Sequence, residues 1–141
     1  MKLGPQTAIK YLLRMLSIVI SLHILILLKI IPYTIAWGGR LQNDEQMYTF
    51  EAISIGINVF LSFILLMKGR YIHFRFKEKL LNSVLWTFLV LFILNTVGNL
   101  FAQTNFEKFF SIVTLIFAYF IWVVLCPKAS IALCRFLRRS D

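Results

Sequence analysis

Lys29 and Glu51 are the two side chains of this sequence best placed to act where water is scarce, because both fall inside long apolar runs. An ionised residue near the centre of a membrane helix costs about 2.5–3.5 kcal/mol on insertion scales, so it snorkels, pairs or works. Lys29 lies eight positions before Trp37, or about 12 Å deep at the helical rise, and Glu51 four positions beyond Met47, or about 6 Å. That spacing predicts a Lys29–Glu51 ion pair between adjacent helices. Such a pair either fixes helix packing or supplies the charge of a vestibule that takes a polar or anionic headgroup or a small solute.

Further polar residues recur at helical spacing within the same runs. Glu51, Ser54, Asn58 and Ser62 form one stripe, Asn95, Gly98 and Asn99 a second, and Ser111, Thr114 and Ala118 a third. Lys29, Tyr33 and Ala36 share a face of the first run. Lipid offers polar groups no partners, so these faces should turn inward. The candidate vestibule is therefore Lys29, Tyr33, Glu51, Asn58, Asn95, Asn99 and Thr114. His23, Arg40 and Gln103 form a second tier. His23 sits about 120° from the Lys29 face and at the depth of Asn58, where a hydrogen-bonded histidine is expected rather than a metal or haem ligand.

The elements that must position these residues are four apolar runs, roughly 15–37, 47–67, 80–101 and 107–126. About 20 apolar residues suffice for a helix to cross a hydrocarbon core of about 30 Å. Composition agrees: 60% of the 141 residues are hydrophobic, against 45–50% in an ordinary soluble domain. The expected fold is an all-α integral membrane protein, one domain built as a four-transmembrane-helix bundle. The basic start and apolar stretch of the first run fit a signal peptide, but residues 32–37 make a poor small-residue cleavage site, so the run is read as a true span.

A net charge of +9 suggests nucleic acid until the charges are placed on the threading. Twelve of the fifteen basic residues precede the first run, fill the second connection or follow the fourth run. By the positive-inside rule both termini are cytoplasmic, in the plasma (inner) membrane, and no nucleic-acid partner is implied. Within 128–139 the apolar Ala129, Ala132, Leu133, Phe136 and Leu137 oppose Lys128, Arg135, Arg138 and Arg139, the pattern of a short amphipathic interfacial helix. Arg75 and Lys77, with Arg135, Arg138 and Arg139, are expected to meet the anionic inner leaflet. Ala52 and Gly56 form a small-xxx-small pair that would let a second copy or a partner's helix approach.

Boundaries carry their own chemistry. Thr104 to Glu107 has capping-box spacing, Asn43 to Gln46 resembles it, and Gly38-Gly39 would stop the first helix. Several enzyme classes are disfavoured. Cys126 and Cys134 lie at the same end with no Cys-x-x-Cys, the two histidines are far apart and unaccompanied, and no glycine-rich phosphate loop occurs. Small multidrug transporters are similar in length and helix count but carry a membrane Glu in their first helix, where this chain has Lys29. Fluoride channels of this size are glycine-rich, and this chain has six Gly. The expected function is thus a non-enzymatic binding or accessory membrane module with an outward-facing polar vestibule and no cofactor or metal. A small oligomeric transporter or ion pathway through the Lys, Glu and Asn residues is the alternative.

Overall fold

A computed structural model describes residues 4–33, 41, 43–73, 76–101 and 105–126. Among them are four helices and no strand: α1 (Pro5–Leu27), α2 (Asp44–Lys68), α3 (Glu78–Leu100) and α4 (Asn105–Leu125). At 1.5 Å per residue even the shortest is about 31 Å long, enough to span a bilayer core. The spans have mean hydropathies of 1.8 to 2.2, and their outward faces carry large apolar side chains such as Ile18, Leu94 and Leu115. The chain is a four-helix integral membrane bundle.

α1 differs most from expectation, starting and ending about ten residues earlier than 15–37. Pro5 occupies its first turn, where a fixed φ suits the helix and a missing N–H is no loss. At the other end Lys29 adopts φ 57°; its N–H donates to the Ile26 carbonyl (2.8 Å) and the Ile30 N–H to the Leu25 carbonyl (3.0 Å). That is a Schellman closure, and Pro32 follows it. The apolar letters beyond Leu27 continue the run in sequence but not in structure. Residues 34–40, including Gly38-Gly39 and Arg40, lie outside the described residues.

α2 begins as expected: the Asn43 side chain accepts from the Gln46 N–H (2.8 Å), with Asp44 and Glu45 at the positive end of the helix dipole. It ends in a second Schellman closure, in which Arg70 (φ 62°) donates to Met67 and Tyr71 to Leu66. The Lys68 ammonium then bridges to α3, donating to Asn82 Oδ1 (2.6 Å) and Glu78 Oε1 (3.2 Å). The Thr104 cap, Gln103, Arg75 and the 128–139 segment with Arg135, Arg138 and Arg139 also lie outside the described residues.

α1 packs on α2 and on α4, and α3 packs on α4, while α2 and α3 share a much thinner interface. The start of α1, the end of α2 and the end of α4 meet at one end of the bundle, with Lys10, Arg14, Lys68 and Arg70 there. This basic half is dry. Leu12, Leu16, Leu61, Leu65, Leu85 and Ile121 are fully buried in one continuous core. Phe92 and Phe117 stack at 4.9 Å, 9° from parallel, with Phe88 beside them, closing that core near mid-span.

Candidate functional site

Above the aromatic layer the bundle does not close. A cavity of about 400 Å³ occupies the half away from the basic end, lined by all four helices. Its floor is Phe88, Phe92 and Phe117; its polar wall includes His23, Glu51, Ser54, Asn58, Asn95, Asn99 and Thr114. Ile57 of α2 and Leu91 of α3 line it as well, and each is half exposed. With α2 and α3 so loosely packed, the opening between them faces sideways, toward lipid. A mostly apolar hollow with a few convergent polar groups is the usual form of a ligand site.

The centre of the polar wall is a His–Glu side-chain pair absent from the sequence-based expectation. His23 Nδ1 lies 2.6 Å from Glu51 Oε2, and Glu51 is wholly buried. Glu51 is seven residues, or about 10 Å, inside α2, and His23 is four residues from the end of α1. Because α1 ends at Leu27, the two meet at one depth. His23 therefore does not bond to Asn58, whose Nδ2 donates to its own helix at the Ser54 carbonyl (2.8 Å).

Lys29 is not in the vestibule. Its left-handed backbone turns it away from α1, and its ammonium bonds Asp44 Oδ2 (2.5 Å) while sitting 5.5 Å above the Tyr48 ring. The side chain is 46% exposed. The Asp44 hydrogen bond holds its pKa above the ordinary lysine value of 10.5. The expected Lys29–Glu51 pair is thus replaced by two pairs, Lys29–Asp44 at the rim and His23–Glu51 inside. Tyr33 also misses the cavity and packs with Ile26, Leu41 and Met47.

Of the first-tier candidates the structure brings Glu51, Asn58, Asn95, Asn99 and Thr114 to one cavity, joined by His23 from the second tier. Thr114 is partly spoken for, because its hydroxyl meets that of Thr96 at 2.8 Å between α3 and α4 and also donates to carbonyls of its own helix. Ser54, on the α2 stripe, joins the wall, and Thr96, which does not line the cavity, stands behind it as the hydroxyl partner of Thr114. Thr96 broke no apolar pattern, so only the partner hydroxyl across the helix pair reveals it. Among the described residues no group of three His, Cys, Asp or Glu side chains could hold a metal.

Fold and site together define a four-pass membrane bundle with a half-open, polar-walled chamber at the level of the lipid. No protein-family model, curated protein or solved structure matches the chain.

Proposed function

We propose that the protein is a non-enzymatic binding module of the plasma (inner) membrane, both termini cytoplasmic, that holds an amphiphile in its outer-half chamber. The observation that carries this reading is the chamber itself: polar groups inside and an apolar mouth between Ile57 and Leu91. A molecule with a polar head and a hydrocarbon tail matches both, the head among the asparagines and the tail leaving between α2 and α3. The basic end supports the orientation, since basic residues concentrate in short cytoplasmic segments, and Lys77 is exposed there for the anionic leaflet. Ala52 and Gly56 lie on the outward face, with space beyond Gly56 for a neighbouring helix.

A conduit is less well supported. A path to the basic side would have to pass the dry core, and the hydroxyls that might continue it serve their own helices: Ser17 bonds Leu13, Ser21 bonds Ser17 and Ser62 bonds Asn58. Asn82 accepts from Lys68.

The test is photo-crosslinking in living cells with p-benzoylphenylalanine at Leu91. A lipid adduct on the protein, absent when the photoprobe stands instead at outward-facing Leu94, supports the reading. Equal lipid adducts at both positions would mean ordinary bilayer contact and overturn it.

A further inference from the structure

Among the described residues no Lys or Arg lines the chamber, and its charged groups are His23 and Glu51, already paired with each other. A phosphate or carboxylate head would find no counter-cation among the described lining residues. A cationic head would have to draw Glu51, which is wholly buried, away from the partners it already has, His23 among them. Both exchanges are costly in low dielectric.

Uncharged hydrogen-bonding groups, by contrast, are present and available. The Asn95 and Asn99 amides, one turn apart on α3, make no hydrogen bond to a described residue. In a hydrocarbon setting such groups need a partner. Asn58 donates to Ser54 and keeps its Oδ1 for an incoming donor. His23 adds a ring nitrogen. With Nδ1 against Glu51 Oε2, the other ring nitrogen, Nε2, is the one left to meet a ligand. His23 lines the chamber, so that nitrogen is the one it offers to a ligand's hydroxyl.

Resting on the reading of the cavity as a binding chamber, we infer that its ligand is an uncharged lipid whose head carries hydroxyl or ester oxygens. Asn95, Asn99 and His23 Nε2 contact that head. The headgroup is neutral because the described residues of the chamber offer no unspent charge of either sign.

The experiment uses the full chain in phosphatidylcholine nanodiscs and three diazirine probes of equal chain length: a monoacylglycerol, the corresponding lysophosphatidic acid, and an alkylamine. The monoacylglycerol is expected to label Ile57, Leu91 or their chamber neighbours. Asn95→Ala with Asn99→Ala, at an exposed and a half-buried position where folding should survive, lowers that labelling about tenfold, as loss of two hydrogen bonds implies. The phosphate and amine probes should label at about a tenth of that level or less. Equal or stronger labelling of the chamber by either charged probe overturns the neutral-head inference while leaving the chamber standing. Monoacylglycerol labelling that ignores both Asn substitutions overturns recognition by the amides. Absence of chamber labelling by all three probes overturns the binding reading itself.

Discussion

Replacing His23 by leucine leaves the wholly buried Glu51 without its imidazole partner. Breaking a buried pair from one side costs about 3–5 kcal/mol, because the remaining group stays desolvated. Glu51→Gln, which keeps a neutral acceptor, should cost about 1 kcal/mol. If the pair is the source of both losses, the double variant should lose less than the two singles together, read by thermal unfolding in detergent. Strict additivity would mean the two side chains merely fill space. Lys29 behaves differently because it sits at the rim. Its folded pKa is raised by Asp44, so the stabilisation is complete below the unfolded value of 10.5 and is lost as pH rises through the folded value. The stability difference between wild type and Lys29→Met should therefore be constant from neutral to mildly alkaline pH and shrink above about 10.5. A difference already fading near neutrality would contradict that assignment. The sequence marks both residues as unusual but misassigns their partners. The apolar letters run on past Leu27 to Trp37, so Lys29 reads as a mid-helix residue level with Glu51, when it is the left-handed corner that ends α1.

At the scale of the elements, the two helix corners share one device. Lys29 and Arg70 each hold the left-handed position of a Schellman closure that glycine ordinarily fills. Gly69, beside Arg70, is not the left-handed residue (φ −74°); a Cβ there would come 2.5 Å from the Tyr71 ring. Arg70→Gly removes the left-handed penalty and should raise stability by about 1 kcal/mol, seen as a higher melting temperature. An unchanged or lower value would mean that the Arg70 side chain contributes more than its backbone costs. The existence and order of the four helices are legible in the chain because runs of apolar residues of membrane length admit few other structures. The Asn43 cap is legible for the same local reason: it depends on three neighbouring residues. The α1 boundary is not, because a left-handed lysine has no signature in composition.

At the scale of the whole molecule, the bundle is asymmetric along its axis, dry at the basic end and hollow at the other, with a phenylalanine layer between. The polar stripes on α2, α3 and α4 foretell that hollow. What they cannot foretell is the uneven packing, thick between α3 and α4 and thin between α2 and α3, which turns an axial vestibule into a lateral chamber. That difference arises from side-chain fit across helices and has no periodic trace in the sequence. The central claim is that the chamber holds an amphiphile, and native mass spectrometry of the gently extracted protein tests it most directly. The wild-type chain should carry a reproducible lipid-sized mass that Leu91→Trp, which fills the mouth between α2 and α3, removes without unfolding the protein. A bare wild-type chain, or one whose bound lipid is untouched by Leu91→Trp, would contradict it.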